Sequence, residues 1–141
     1  MFGPHLILEA YGCPRKPLVD LSLVSEILDA YPAKLDMTKM MPPYVFTWRG
    51  SGEEDWGISG VVLIAESHIS IHTFPEKQFV TLDIFSCRDF VIEDAIAFFC
   101  DAFQPDHYDK EVFLRGREFP KSIERAGRII HAERKRLAKK F

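Results

Sequence analysis

The sequence predicts an α+β fold, a two-layer sandwich in which a mainly antiparallel sheet carries its helices packed on one face. Three observations carry the prediction. Ile69 to Thr73 and Phe79 to Phe85 alternate side to side with the period of a strand, and the turn residues Pro75-Glu76-Lys77 lie between them, so the two read as a hairpin. Leu23 to Leu28 and Ile92 to Phe103 instead place apolar residues at helical spacing. The resulting order, β-α-β-β-β-α-β-α, groups the strands in the middle of the chain.

In order along the chain, His5 to Tyr11 reads as a short strand that ends at Gly12-Cys13-Pro14. Asp20-Leu21-Ser22 offers a helix start; Leu23, Val24, Ile27 and Leu28 form its apolar stripe, and Pro32 is expected to stop it. Residues 34–48 are mixed, with Pro42-Pro43 breaking or edging a strand. Arg49 to Asp55 is a polar, glycine-containing loop. Gly60 to Ile64 is a continuous apolar run, as expected of a strand buried on both faces. After the hairpin, residues 91–103 form a helix with Ile92, Ala95, Ile96, Phe99 and Phe103 inward. Glu111 to Leu114 is the last strand, and Pro120 begins a basic C-terminal helix. At 141 residues the chain is expected to be one domain, 1–141, with enough length to build a core.

Composition removes several classes of function. The apolar fraction of 47% and charged fraction of 28% are those of a soluble globular protein. No apolar run has the length of a membrane span, and Met1 to His5 has no signal-peptide pattern, so a cytoplasmic location is the expectation. Cys13, Cys87 and Cys100 are an odd, widely spaced set without a CxxC, which argues against a disulfide framework or a structural zinc site. The net charge of −3 hides an asymmetry: residues 121–141 hold eight Lys/Arg against two Glu. Those cations spread through a helical pattern without interleaved aromatics, so a solvated helix on an acidic body or partner subunit is expected rather than a nucleic-acid surface.

Chemistry concentrates between Glu66 and Glu76, where two histidines, two serines, a threonine and two carboxylates share one apolar hairpin. Polar groups in such a setting are paired or functional. His68 and His72 fall on one face of a regular strand, but no third metal ligand is obvious beside them. A Ser-His hydrolase pair is a second option, without the G-x-S-x-G elbow that such a serine uses. Taken alone, the residues favour histidines satisfied within a sheet.

A resemblance changes that weighting. The run Gly57-Ile58-Ser59-Gly60-Val61-Val62-Leu63-Ile64-Ala65-Glu66-Ser67-His68-Ile69-Ser70-Ile71-His72-Thr73-Phe74-Pro75-Glu76 resembles the signature of the prokaryotic S-adenosylmethionine decarboxylase proenzymes. Leu82 to Cys87 and His5 to Cys13 resemble two further blocks of that family. The resemblance implies self-cleavage between Glu66 and Ser67, giving chains 1–66 and 67–141. The Ser67 hydroxyl would attack the Glu66 carbonyl, Ser59 would assist the acyl shift, and His72 would remove the Ser67 Cα proton. Elimination would leave dehydroalanine, which hydrolyses to a pyruvoyl group.

That group would form a Schiff base with a substrate amine and accept electrons as CO2 leaves, in place of PLP and without a metal. Cys87 matches the family's proton donor, a role open to a thiol with an ordinary pKa of about 8.5. Glu76 matches a ribose-binding carboxylate; Phe74, Ile69, Trp56 and Trp48 are the candidates to grip the adenosyl group. A homodimer of processed protomers is implied, with S-adenosylmethionine as substrate and spermidine synthesis as the destination. Cys100, beside the apolar face of a helix, is read as an inert thiol.

Two features qualify the match. In a regular strand Ser67 and His72 face opposite ways, so self-cleavage predicts a bend or bulge at Glu66-Ser67. The segment Met40 to Trp48, followed by the acidic loop Gly52 to Trp56, is longer than the family's short strand before the Ser-Gly pair. A carboxylate from that loop would suit a sulfonium and also the side chain of arginine or ornithine, so a basic amino acid is the alternative substrate. An unprocessed homologue acting as a binding or regulatory subunit is the alternative from another class.

Overall fold

The structure, a computed structural model, describes residues 3–118 and 123–138. Its elements are β1 (Gly3–Tyr11), α1 (Arg15–Leu18), α2 (Leu21–Lys34), β2 (Tyr44–Arg49), β3 (Trp56–Ile64), β4 (Ser67–Phe74), β5 (Phe79–Ser86), α3 (Ile92–Phe103), β6 (His107–Arg115) and α4 (Ile123–Ala138). A 3₁₀ turn, Pro75–Lys77, joins β4 to β5. The six strands form one antiparallel sheet in the order β2-β3-β4-β5-β1-β6.

Alternation decides which side of the sheet is core. Leu6, Leu8 and Ala10 of β1, Ile58, Val62 and Ile64 of β3, Ile69 and Ile71 of β4, and Val80, Leu82 and Ile84 of β5 are all buried on the same side. That side meets Val24, Ile27, Leu28 and Tyr31 of α2 and Ala95, Ile96, Phe99 and Phe103 of α3. Tyr31 stacks on Phe98 at 3.9 Å and meets Phe99 edge-on, which ties the two helices together. Removing an aromatic such as Phe99 from this layer would cost about 3–5 kcal/mol. A buried hydroxyl in the core is satisfied too: Thr73 Oγ1 accepts from Ile58 N at 3.0 Å and donates to Leu18 O at 2.8 Å. The opposite, open face carries His5, Ser59, His68, Ser70, His72, Phe74 and Asp83, with exposed Tyr44, Phe46, Trp48, Leu63 and Phe113 around them.

The α+β sandwich expected from the sequence is therefore present, with differences in detail. The sheet has one strand more than expected, because residues 44–49 and 56–64 form a complete hairpin. β3 begins at Trp56, so the polar loop closes at Asp55, and β6 extends well beyond Glu111 to Leu114. Pro32 does not stop α2, which continues to Lys34. A proline so near the helix end forfeits little hydrogen bonding. Its ring is buried, and its carbonyl accepts from Leu35 N and Met37 N. At the N-terminus Asp20 caps α2 by accepting from Leu23 N. The C-terminal helix is present as α4; its expected start at Pro120 lies outside the described residues.

Candidate active site

The β3–β4 hairpin closes through two residues, Ala65 and Glu66, with Ile64 paired to Ser67. The expected bend at Glu66-Ser67 is thus a hairpin turn rather than a bulge. Ser67, the first residue of β4, has φ +154°, a value few non-glycine residues adopt and one that costs of order 1–3 kcal/mol. Two segments hold the turn. Ala65 N donates to Thr38 O at 2.8 Å, and the Glu66 carboxylate accepts from Thr38 N at 3.1 Å. Cys87 N donates to the Glu66 carbonyl oxygen at 3.0 Å. Beyond Cys87, Arg88 N donates to Ser86 Oγ, while the Arg88 guanidinium reaches Asp36 O at 2.8 Å and the Asp36 carboxylate at 3.2 Å. The carbonyl of the Glu66–Ser67 peptide is therefore fixed and polarised by a main-chain amide.

Around Ser67 the open face carries a connected set of polar groups. The Ser67 hydroxyl lies 3.2 Å from His68 Nδ1. His68 Nε2 lies 3.1 Å, and His5 Nε2 2.8 Å, from the same oxygen of Asp83, Oδ2. Ser70 donates to Oδ1. Burial works against a charge on Asp83, but the hydrogen bonds from Ser70, His5 and His68 outweigh it and hold the carboxyl below its usual range. The third partner that the sequence did not reveal beside its histidines is thus Asp83, and it joins His68 to His5 rather than to His72. One ligand atom from each of His5, His68 and Asp83 lies within 4.8 Å of the others, the set of described residues able to hold a metal.

Ser59 and His72 form a second cluster. Ser59 Oγ lies 2.9 Å from His72 Nδ1 across the β3–β4 ladder. His72 lies five residue steps along the strand from Ser67, a distance of about 16 Å. A cleft of ≈ 180 Å³ opens at this end, lined by Ser59, His72, Phe74, Trp48, Trp56 and the loop carboxylates Glu54 and Asp55. Glu76 stands beside it, where Arg15 at 2.5 Å and the Trp56 indole at 3.2 Å hold its carboxyl below the usual range. The guanidiniums of Arg15 and Arg49 lie 5.6 and 4.8 Å from the Trp56 ring. Neither arginine was singled out in the sequence, and Arg15 lies 61 residues from Glu76 with no motif to join them. Ile69 belongs to the core, fully buried on the helix side of the sheet and away from both clusters. Cys100 is half-buried, and burial pushes its thiol above the ordinary value; Cys13 is buried and pushed up to about 11.

The S-adenosylmethionine decarboxylase family model matches residues 4–116, which include both clusters. The chain belongs to that family. Among its relatives, the S-adenosylmethionine decarboxylase proenzyme of Archaeoglobus fulgidus is 37% identical over 115 residues, 81% of this chain and 97% of the relative. The proenzyme of Pyrococcus abyssi is 36% identical over 118 residues, 82% of this chain and 80% of the relative. A crystal structure of the adenosylmethionine decarboxylase from Aquifex aeolicus superposes with a TM-score of 0.69 at 29% identity, over 82% of this chain and 91% of that one. S-adenosylmethionine decarboxylases are enzymes, and this chain shares their α+β fold. Its α4 lies beyond the matched region. No helix among the described residues is long and apolar enough to cross a membrane.

Proposed function

We propose that this chain is a self-processing, pyruvoyl-dependent decarboxylase of S-adenosylmethionine, cut between Glu66 and Ser67. The observation that carries the reading is the Glu66 carbonyl, fixed at 3.0 Å on the Cys87 amide and joined to a serine in a strained turn. An amide at that position stabilises the oxyanion that forms when Ser67 Oγ attacks. No redox partner is needed: the peptide rearranges to an ester, the Glu66 carboxylate leaves by elimination, and water then replaces the nitrogen of the new terminus as ammonia. The residues fit the prosthetic group, since Ser67 supplies its carbons and Cys87 lies beside it. A pyruvoyl carbonyl supplies the electron sink for loss of CO2 from an α-amino acid. Cys87 donates the proton that replaces the carboxyl group.

The substrate reading rests on the cleft near Glu76. Trp48 and Phe74 offer flat apolar surface to a purine, Glu76 offers a carboxylate to ribose hydroxyls, and Glu54 and Asp55 suit a sulfonium. The relatives' names support S-adenosylmethionine over arginine or ornithine. Borohydride trapping separates them: S-adenosylmethionine is expected to be trapped on the chain beginning at residue 67, and trapping of arginine alone would overturn the substrate.

The two clusters lie about 16 Å apart on one strand, too far for His72 to reach the Ser67 of its own chain. We infer a homodimer in which the open faces meet, so that each Ser67 receives Ser59 and His72 from the partner protomer. A two-fold axis exchanges the ends of β4 in this way, and the exposed aromatics of the open face supply an apolar surface to bury. Co-expression tests it. Neither Ser67→Ala nor His72→Ala should cleave alone, but in the mixed dimer the His72→Ala chain should be cut. Intact mass showing both chains whole in that dimer would exclude action between protomers.

A further inference from the structure

Before Ser67 can attack, its hydroxyl must lose a proton, and an unactivated serine is a weak nucleophile. The base must stand within hydrogen-bond reach of Oγ. On its own protomer that group is His68, 3.2 Å away through Nδ1. Its other nitrogen, Nε2, faces Asp83 Oδ2 at 3.1 Å. An Nε2–H donated to a carboxylate leaves the Nδ1 lone pair free to accept, which is the tautomer a base at Ser67 requires. Asp83 is itself fixed from three sides: His5 on the same oxygen, Ser70 on the other, and the β4–β5 ladder through the Ser70–Asp83 pair. Hydroxyl, imidazole and carboxylate thus run in series toward the reacting carbonyl, the order of a serine-histidine-aspartate relay on an unrelated fold.

We propose that His68, oriented by Asp83 and His5, is the general base of the first self-cleavage step; the inference rests on the cleavage at Glu66–Ser67 proposed above. His68 Nδ1 takes the Ser67 hydroxyl proton as the Oγ–C bond to Glu66 forms, with the oxyanion on the Cys87 amide. The imidazolium then gives that proton to the departing Ser67 nitrogen as the C–N bond breaks, leaving an ester and a free amine. Atoms and charge balance without a co-reactant. His72 keeps the later task, removal of the Cα proton in the elimination. His68 is therefore catalytic, touching the reacting oxygen, while Asp83 and His5 are positioning residues that act through it.

Because the two histidines are assigned to different steps, their variants should stop at different species. In cell-free synthesis followed by intact mass, His68→Ala should be cut about 100-fold more slowly than the native chain, and imidazole in the buffer should recover part of the rate. Hydroxylamine, which cleaves esters and leaves peptides, should release fragments 1–66 and 67–141 from His72→Ala and none from His68→Ala. Asp83→Asn, close in shape, should slow cutting at least tenfold while far-UV circular dichroism stays native. His68→Gln, which keeps a polar side chain of similar reach, serves if the alanine variant does not fold. Native cutting rates in the His68 variants, or hydroxylamine release from them equal to that of His72→Ala, would overturn the relay. So would loss of cutting in EDTA restored by zinc, which would make the three side chains a metal centre. Ser67→Ala keeps the two claims apart: if it is still cut, the cleavage reading itself fails, whereas an uncut Ser67→Ala beside a normally cut His68→Ala removes only the relay.

Discussion

Cys87 contributes two different groups, and only one of them belongs to its side chain. Its main-chain N–H holds the Glu66 carbonyl, and any residue except proline supplies that donor. The thiol is separate, and its contribution is the proton donation proposed above. Cys87→Ala should therefore complete self-cleavage at close to the native rate yet release labelled CO2 at least about 100-fold more slowly. Native CO2 release from that variant would remove the thiol from the reaction. Residues of this kind were legible because they fall in two short blocks close together in the chain: Glu66, Ser67, His72 and Cys87 lie within 22 positions. The neighbours that set their geometry were not. His5 meets Asp83 across 78 residues, and Arg15 meets Glu76 across 61, contacts created by strand order rather than by any local pattern.

At the level of elements, alternation revealed β1, β5 and the β4–β5 hairpin, and helical spacing revealed α2 and α3. β3 was harder to delimit, since Gly57 and Gly60 interrupt its pattern with residues that have no side chain to alternate. Gly57 is there for space: a Cβ built on it would lie 1.9 Å from Thr73 O, the backbone of the neighbouring strand. Gly57→Ala must push β3 from β4 just where Ser59 meets His72. It should destabilise the chain by about 1–3 kcal/mol, read as a lowered Tm, and slow self-cleavage. An unchanged Tm would mean that the strands part without cost. β2 was obscured by Pro42-Pro43 and by its edge position, where most residues are exposed and carry no burial pattern. β6, exposed along its whole length, carries no burial pattern for the same reason, and its sequence marks only Glu111 to Leu114.

For the molecule as a whole, the sheet order β2-β3-β4-β5-β1-β6 acquires a meaning under the cut proposed at Glu66. β1, β2 and β3 then belong to one polypeptide and β4, β5 and β6 to the other. The two are interleaved, because β1 of the first piece lies between β5 and β6 of the second. Severing the hairpin turn leaves the ladder on both sides of β4 intact, so the processed protein should stay folded and its pieces should copurify. Its way back from denaturant is a different matter. The uncut Ser67→Ala chain refolds as a single strand of polymer, whereas the mature pieces must first find each other and then thread β1 between two strands of its counterpart. Refolding yield of the mature form should therefore rise with protein concentration more steeply than that of Ser67→Ala. Equal yields on dilution would count against this. On the proposed cleavage, maturation would act as a ratchet: the fold that the intact chain reaches in one molecule would become, after the cut, a form whose endurance depends on how rarely it opens.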